Sequence, residues 1–327
     1  MTHDIITLAH GNGGRLTHEL IEHIFVPQFQ MKREYANKDA AMISCEGQMM
    51  FTTDGYTVDP IFFPGGDIGK LAVCGTLNDL LVSGSIPQYL TVNFFIEEGF
   101  SLQALRRIVQ SMGNVVSENH VAIVAGDTKV LPKGEMVGIQ IVTTGIGRVE
   151  NARLSMSAIQ PGDKLFVTGT LGDHGAAVML ARDDYGLQGS VTSDCQSVRP
   201  LADPLMKCTA VRFMRDPTRG GLATVCHEIS HETGLGIKLM ENNIPVRDDV
   251  RTYCELLGFD PLYLASEGRI VFVASSNFAM DALLGFSGDA YLIGEVTGEH
   301  QHVVMQTGLG ASKIVAELEQ DVLPRIC

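Results

Sequence analysis

The sequence has 327 residues, 45% of them hydrophobic, which is enough for about two domains with filled cores and excludes a disordered or fibrous protein. Its formal net charge is −14, and because no cluster of Lys and Arg offsets that charge, nucleic acid and anionic membranes are unfavourable partners. The first residues carry no basic segment, and no apolar run approaches the roughly 20 residues that span a bilayer, so we expect a soluble, cytoplasmic protein.

The first half of the chain alternates strand-like and helix-like segments. Alternating apolar residues predict strands over residues 49–53, 89–96, 121–125 and 136–144. The strand over 89–96 places Leu90, Val92, Phe94 and Ile96 on one face. Helices are predicted over residues 68–83 and from the capping residue Ser101 to about Asn119. We interpret residues 1–150 as one domain of mixed α and β structure.

The polar residues 148–157 interrupt this pattern and are interpreted as a linker. A second α and β domain over residues 151–320 opens with a turn at residues 161–163 and a strand over 165–168. Helices are predicted over residues 222–233 and 311–319. Residues 321–327 form a tail, because Pro324 disfavours continuation of the last helix.

The predicted helix over residues 68–83 is apolar on two opposite sides, which indicates that it is buried. One of these faces also carries Asp79. A buried carboxylate needs a partner, because burying it without one costs on the order of several kcal/mol. An ion pair or cap within the protein and a bound metal ion both remain open for Asp79.

Other aspartates lie near the ends of predicted strands. Asp54 follows the strand over 49–53, Asp127 follows the strand over 121–125, and Asp39 precedes the apolar residues 40–43. Ligands gather at strand ends in α/β sheets, and converging carboxylates suit a magnesium ion with nucleotide phosphates. Each aspartate alone is typical of a turn, whereas the set favours a metal site.

Two glycine-rich loops, residues 10–14 and 169–175, have the composition of loops that offer backbone N–H groups to phosphate. Glycine loops of this length are also common as simple turns. A Walker A loop is absent, since residues 65–70 have one residue too few between glycines and Leu71 replaces the Ser or Thr. Any ATP site therefore belongs to another fold.

Residues 227–231 match the His-Glu-x-x-His pattern of zinc peptidases. The third histidine of the longer pattern is missing, because Ile237 stands in its place. On the predicted helix the buried stripe contains Leu222, Val225, Cys226 and Ile229, which places both histidines on the solvent side. The favoured interpretation of His227 and His231 is therefore surface residues rather than zinc ligands.

The seven cysteines are scattered without a C-x-x-C pair, which excludes a zinc knuckle and argues against a disulfide framework. The last residue of the sequence is Cys327. It is either an oxidisable thiol without a role or a reactive group. Arg325 would favour its thiolate, and the adjacent α-carboxylate would oppose it.

The ending Pro324-Arg325-Ile326-Cys327 resembles that of the HypE family of hydrogenase maturation factors. The resemblance covers essentially the whole chain. It is carried by an ordered set of motifs at residues 10–14, 53–54, 64–70, 78–79, 126–129, 172–175, 216–221 and 267–268. Each motif is weak alone, whereas the set together with the terminal tetrapeptide is specific.

That family is similar in fold to aminoimidazole ribonucleotide synthase and selenophosphate synthetase. The resemblance implies a two-domain α+β and mixed α/β fold of the PurM type, with an N-terminal domain that forms a homodimeric β-barrel and ATP bound between the domains. It implies that a carbamoyltransferase, HypF, loads a carboxamide onto Cys327. ATP then converts the carboxamide to a thiocyanate, and the cyanide passes to iron on a HypC–HypD complex for [NiFe]-hydrogenase.

The resemblance also implies roles for individual residues. Magnesium would be held by Asp39, Asp54, Asp79, Asp127 and Asp216. Glu267 would be the base that removes an N–H proton, helped by Lys129, with Cys327 carrying the substrate. The residues expected to bind the nucleotide are Gly13, Gly14, Asp67, Asn78, Thr128, Gly169 and Gly172.

Two alternatives stand beside this interpretation. A selenophosphate synthetase needs a Cys or selenocysteine with a Lys in the N-terminal glycine loop, whereas here Arg15 follows that loop. A scaffold or metallochaperone would use Cys327 and the histidines to carry nickel or iron. Nickel binding without ATP turnover would favour the second alternative.

Overall fold

The computed structural model describes residues 4–31, 40–182, 189–280, 283, 286, 288–320, 323 and 325–327. The strands are β1 (Met49–Tyr56), β2 (Phe62–Phe63), β3 (Gly66–Asp67), β4 (Ser85–Glu97), β5 (Ala122–Leu131), β6 (Ile139–Val149), β7 (Lys164–Val167), β8 (Val211–Arg215), β9 (Gly236–Met240), β10 (Val271–Ala274), β11 (Tyr291–Thr297), β12 (Val303–Gln306) and β13 (Ser312–Ile314). Asp39 and Pro324 lie outside the described residues.

The helices are α1 (Arg15–Leu20), α2 (Val26–Phe29), α3 (Ile68–Val82), α4 (Leu102–Glu118), α5 (Asp173–Ala181), α6 (Arg199–Lys207), α7 (Gly221–Thr233) and α8 (Asp248–Leu257). A π-helical segment (Ile21–Phe25) joins α1 to α2. Short 3-10 turns occupy Leu8–His10, Met156–Ala158, Glu241–Asn243 and Pro261–Tyr263. In the described part of the chain, every helix is too short or too polar to cross a membrane.

The first half of the chain builds a four-stranded sheet in the order β1-β6-β4-β5. Strands β4 and β5 pair parallel, and the other neighbours pair antiparallel. The predicted apolar face of β4 is confirmed, since Leu90, Val92, Phe94 and Ile96 are all buried. Ser101 caps α4 as predicted, with its hydroxyl accepting a hydrogen bond from the Ala104 N–H.

Helix α3 is the central element of the molecule, and its predicted burial on both sides is confirmed. Nearly every one of its side chains is buried, from Ile68 to Val82. One side of α3 packs on β1, β4 and β6, and the other contacts α6 and β8 of the second half. A carboxylate on this helix, such as Asp79, therefore lies between the two halves.

The second half builds a seven-stranded sheet in the order β13-β12-β9-β11-β7-β10-β8. Helix α7 buries the predicted stripe of Leu222, Val225, Cys226 and Ile229 among the strand residues of this sheet. A separate core joins the two halves. It combines α3 and α4 with Ala176 of α5, Cys254 of α8 and Ile326 at the end of the chain.

Three predicted elements differ from the structure. Strand β1 continues past its predicted end at Thr53, because its antiparallel pairing with β6 matches Asp54 to Thr143 and Tyr56 to Ile141. Strand β5 likewise continues through Asp127, which pairs with Asn93. The predicted helix over 311–319 is wrong. Its first part is the edge strand β13, which pairs with β12.

Candidate active site

A cavity of ≈ 50 Å³ lies between the two halves of the chain. It is lined by four carboxylates, one cation, one thiol and three other residues, namely Asp54, Tyr56, Gly75, Asp79, Asp216, Thr218, Arg219, Glu267 and Cys327. We call this space the acidic pocket. It brings together Cys327, Glu267 and three of the five predicted metal ligands.

Strand β1 and helix α3 supply the first side of the acidic pocket. Side chains alternate along a strand, so Thr52, Asp54 and Tyr56 share the face of β1 that is directed at α3. The Thr52 hydroxyl donates to Asp79 Oδ2 at 2.9 Å. The Tyr56 hydroxyl lies 3.3 Å from that of Thr76. Gly75 permits this approach, since a Cβ there would lie 2.3 Å from the Tyr56 hydroxyl.

The second half supplies the opposite side. Asp216, Thr218 and Arg219 lie on the loop between β8 and α7, and Glu267 lies just before β10. The backbone N–H of Glu267 donates to Asp194 Oδ1 at 3.1 Å. Its carbonyl accepts from the Asn78 side-chain amide of α3 at 3.3 Å. Glu267 is therefore held from both halves, although its own carboxyl oxygen Oε1 is buried without a hydrogen-bond partner.

Burial, reinforced by repulsion among the carboxylates, determines the electrostatics of the acidic pocket. Burial raises the pKa of Asp79 to about 8, and the nearby charges of Asp216 and Asp54 add to this effect. Burial likewise raises the pKa of Asp216 to about 6. The pKa of Glu267 is raised well above its usual value by burial and then by Asp216. The pocket thus disfavours its own negative charge, which is the condition that a bound cation relieves.

The donor set of the acidic pocket fits a hard divalent cation. Asp54, Asp79 and Asp216 offer oxygen ligands of the kind that magnesium prefers. The unpartnered Oε1 of Glu267 is a further buried oxygen aimed at no protein donor. Three of the predicted aspartates therefore form a group of oxygen ligands that fits a magnesium ion.

The end of the chain lies inside the groove between the halves. The His174 Nε2–H donates to the Ile326 carbonyl at 2.8 Å. The Arg325 carbonyl accepts from the Asp59 N–H at 3.1 Å and from Arg182 at 2.7 Å. Ile326 is buried in the core that joins the halves. These contacts place Cys327 in the acidic pocket.

His174 is a neutral anchor for this segment. Burial lowers its pKa to about 4, so the imidazole is uncharged at neutral pH. The Ser193 hydroxyl lies 2.8 Å from Nδ1 and donates to it, because Nε2 carries the proton given to Ile326. The tautomer is thereby fixed by two partners.

The cation beside the Cys327 side chain is Arg219 and not Arg325. The pKa of Arg219 is raised above its usual value, first by the Coulombic interaction with Cys327 and then by a side-chain hydrogen bond with it. Arg325 faces away and pairs with Asp59, at 3.4 Å, and with the Thr57 carbonyl. The predicted role of Arg325 beside the thiolate therefore falls to Arg219.

Two predicted site residues on β5 lie elsewhere. Lys129 Nζ and Asp127 Oδ2 form an ion pair 2.9 Å long, and both side chains are 57% exposed. This pairing lowers the pKa of Asp127. Neither residue is among the described residues that line the acidic pocket. The chain alone does not bring Asp127 to the other aspartates or Lys129 to Glu267.

Three residues expected at the nucleotide have structural contacts in the protein. Asp67 caps α3, and its Oδ1 accepts from the Gly69 N–H at 2.8 Å and from the Ser111 hydroxyl at 2.7 Å. The Asn78 amide spans the two halves. Besides its bond to Glu267, it accepts from the Val198 N–H at 2.9 Å. Thr128 is buried on β5.

The two glycine loops lie in different halves. In the first, the Gly13 N–H donates to Thr17 Oγ1, and the Gly14 N–H donates to Asn12 Oδ1. In the second, Gly169 has φ +88 and lines a separate cavity of ≈ 370 Å³ beside Arg269. Gly172 begins α5. Its N–H donates to Ser266.

Sequence reasoning missed Tyr56, Thr218, Arg219 and His174. Tyr56 shares a strand face with Asp54, so the alternation of β1 would have revealed it once the strand was extended. Arg219 lies three residues after Asp216, within the motif at residues 216–221. His174 lies within the motif at residues 172–175, but its role could not be read from the sequence, because its partner carbonyl belongs to residue 326.

Residues 37–149 match the family described as AIR synthase related protein, N-terminal domain, and residues 160–306 match its C-terminal domain. The chain is 41% identical over 333 residues to a protein of Rhodobacter capsulatus named carbamoyl dehydratase HypE, covering 98% of each. A solved structure of HypE in complex with ATP is 41% identical, with a TM-score of 0.93, and the match covers 98% of this chain and 99% of that one. In a solved HypE–HypF complex, the matching chain is 44% identical, with a TM-score of 0.79, covering 91% and 99%.

Proposed function

The chain belongs to the HypE family of carbamoyl dehydratases, within the AIR synthase related proteins, and we propose that it uses ATP to dehydrate a carboxamide on the sulfur of Cys327 to a thiocyanate. The observation that carries this proposal is the position of Cys327, which lies in the acidic pocket beside Arg219 and Glu267. The thiocyanate is the source of the cyanide ligands on the iron of [NiFe]-hydrogenase.

The chemistry accounts for the residues of the pocket. An amide oxygen is a poor leaving group, so it first attacks the γ-phosphoryl group of ATP and ADP departs. The nitrogen then loses its two protons, one to Glu267 and the other to solvent. The C–O bond breaks, and the departure of inorganic phosphate leaves a nitrile carbon on sulfur. Glu267 takes an N–H proton, because it is the buried carboxyl group without a hydrogen-bond partner on Oε1. Arg219 holds the sulfur end of the group.

Asp54, Asp79 and Asp216 are the proposed magnesium ligands. When bound there, magnesium supplies charge neutralisation for the transferring phosphoryl group. The three carboxylates come from β1, α3 and the loop after β8. They therefore set the position of the nucleotide phosphates relative to Cys327, which approaches from the same groove.

Intact mass spectrometry tests the proposed reaction directly. The protein is incubated briefly with HypF, carbamoyl phosphate, ATP and magnesium, and the reaction is stopped with EDTA and desalted. ATP and magnesium are then added again to one half and left out of the other. We expect a carbamoyl-sized mass gain, followed by an ATP-dependent loss of one water, and neither change in Cys327→Ala. No mass change in the wild-type protein, with HypF shown to be active, would contradict the proposal and favour a metal-carrying scaffold.

We propose HypF and a HypC–HypD complex as partners that act before and after the dehydration. Cys327 is only partly exposed in the groove, so both transfers require the tail segment (residues 323 and 325–327) to leave its site. The side-chain contacts of Arg325 are at the surface, whereas Ile326 is buried. None of the seven cysteines, all of which the structure describes, forms a disulfide bond, which suits a reducing cytoplasm.

We also propose that two copies form a dimer through the outer face of the first sheet. Phe51 on β1 is 69% exposed and Phe95 on β4 is 36% exposed, and a sheet face with such residues is suited to a partner surface. The expected effect of Phe51→Glu is a monomer at micromolar concentration, measured by size-exclusion chromatography with light scattering. Leu309→Glu, at a residue 99% exposed in the second half, should leave the dimer intact. A dimeric Phe51→Glu protein would contradict this interface.

A further inference from the structure

The solvent side of α7 carries a second group of side chains that can bind a metal ion. This group shares no residue with the acidic pocket. His227 and His231 lie four residues apart on this helix, and Glu317 follows β13. One potential ligand atom from each of the three residues lies within 4.8 Å of the other two. We propose that His227, His231 and Glu317 bind one divalent transition-metal ion such as Zn²⁺. We call these residues the histidine cluster.

The ring of His227 is already oriented by the protein. Its Nε2–H donates to the carbonyl of Val315 at 3.2 Å, and this leaves Nδ1 with a free lone pair. Metal-binding histidines in proteins commonly donate their other ring N–H to a carbonyl in this way, which fixes the tautomer and the ring plane. The ring centroids of His227 and His231 lie 6.1 Å apart.

The third ligand is held in place by the segment that carries it. Val315 is buried in the second-half core, and its N–H donates to the Val303 carbonyl at 2.9 Å. The next carbonyl, of Ala316, accepts from the Tyr263 hydroxyl at 2.7 Å. Glu317 Oε2 then lies 3.5 Å from His231 Nε2. The ligands are therefore assembled on two anchored elements before any ion binds.

The ligand types decide which ion fits. Two imidazoles and one carboxylate suit borderline ions such as Zn²⁺, with water in the fourth position, whereas magnesium prefers oxygen ligands. The acidic pocket offers oxygen ligands from aspartates. The two sites thus select different metals by their chemistry.

The histidine cluster is not a peptidase centre, although it contains the His-Glu-x-x-His pattern. The base of such a centre would be Glu228, but its Oε1 pairs with Arg215 of β8 at 3.4 Å. The third ligand, Glu317, comes from a segment far along the chain. An ion here would cross-link α7 to residues 315–317. Helix α7 begins two residues after Arg219, so a bound ion would also stabilise the loop that contacts Cys327.

Zinc binding to the full-length protein tests the proposal. Equilibrium dialysis against ZnCl₂, with metal analysis, is compared for the wild type, His231→Ala and the double variant His300→Ala/His302→Ala. The double variant is a matched control, because His300 and His302 are a second surface pair with ring centroids 6.2 Å apart. Any zinc bound by the cysteines contributes the same amount in all three proteins, so it does not affect the difference between them.

We expect His231→Ala to bind one equivalent of Zn²⁺ fewer than the wild type, and the double variant to bind as much as the wild type. Equal binding by His231→Ala and the wild type would overturn the proposal. His231 is a surface residue, so the variant should fold normally, which its circular dichroism spectrum checks.

Amide hydrogen exchange tests the cross-link separately. Zn²⁺ should slow exchange over residues 312–317 in the wild type and leave it unchanged in His231→Ala. Slowing of equal size in both proteins would contradict a site at the histidine cluster. Stoichiometric binding without slowing in the wild type would overturn the bracing of this segment.

Discussion

Replacing Glu267 with Gln is expected to slow dehydration by about 10²- to 10⁴-fold while ATP still binds. Gln keeps the size of the side chain but cannot accept the N–H proton. The backbone contacts of residue 267 with Asp194 and Asn78 do not depend on the carboxyl group, so the loop should keep its place. The measurement is the rate of the ATP-dependent loss of water from carbamoylated protein, with ATP affinity measured by calorimetry.

The pH dependence of this rate separates a base from a structural residue. Burial and Asp216 hold the pKa of Glu267 well above its usual value, so the wild-type rate should rise with pH as this group loses its proton. The residual rate of Glu267→Gln should lack that rise. Glu255→Gln, at an exposed position on α8, serves as the control. Full dehydration activity in Glu267→Gln would end the assignment.

Replacing Asp79 with Asn is expected to lower ATP-dependent dehydration by about 10²-fold or more, because one charged magnesium ligand is lost. The same change should make the metal-free protein more stable at alkaline pH. Asn removes a charge that Asp216 and Asp54 repel, and its side-chain oxygen still accepts from the Thr52 hydroxyl. Asp248→Asn, at an exposed carboxylate on α8, is the matched control.

The stability effect has a defined pH window. The folded protein holds the proton of Asp79 up to a pKa of about 8, whereas an unfolded chain releases it near 3.9. The stabilisation from that proton is therefore present at low pH and is lost as the pH rises through about 8. His174, with its pKa lowered to about 4, has the opposite trend below roughly pH 6.5. Near the upper end of this range the buried thiols of Cys226 and Cys254, whose pKa values burial raises to about 12 and about 11, add a loss of the same sign, because an unfolded chain ionises them near roughly pH 8.5. The difference between the wild type and Asp79→Asn over roughly pH 6.5 to 8.5 therefore isolates Asp79.

Thermal unfolding in EDTA measures this effect. The wild-type melting temperature should fall by several degrees from pH 6.5 to 8.5 and fall less in Asp79→Asn, with magnesium restoring part of the loss at pH 8.5. A wild-type protein that gains stability over this range would contradict the repulsion described for the pocket. Equal slopes in the two proteins would remove Asp79 as its source.

The buried helix α3 and the inner face of β4 were predictable because each is set by local apolar periodicity. Asp79 stood out for the same reason, as a carboxylate on a helix with no solvent side. The position of Cys327 was different. Composition and spacing left it as either an idle or a reactive thiol, and the family resemblance gave it a role. The structure adds its neighbours, of which Arg219 was not foreseen.

The failures share a physical cause, which is pairing between distant segments. The strand was predicted to end at Thr53, before Asp54, yet pairing with β6 keeps the chain extended to Tyr56. The residues after 311 have helical composition, yet β12 offers an edge that recruits Ser312–Ile314. The His-Glu-x-x-His pattern drew attention to His227 and His231, but the third member of the histidine cluster could not be predicted for the same reason, since Glu317 reaches α7 only through that strand.

The anchors of the tail segment have a kinetic consequence. His174 and Arg182 bind carbonyl oxygens of residues 326 and 325. These two anchors hold the backbone of the tail and make no use of the sulfur, so they can be kept while the sulfur carries different groups. Because the reacting group is tethered, its local concentration is of millimolar order whatever the protein concentration. The proposed dehydration is then a first-order process with no Michaelis constant for the carboxamide. The loading and unloading of the tail by the proposed partners are then the steps of the cycle whose rates depend on protein concentration.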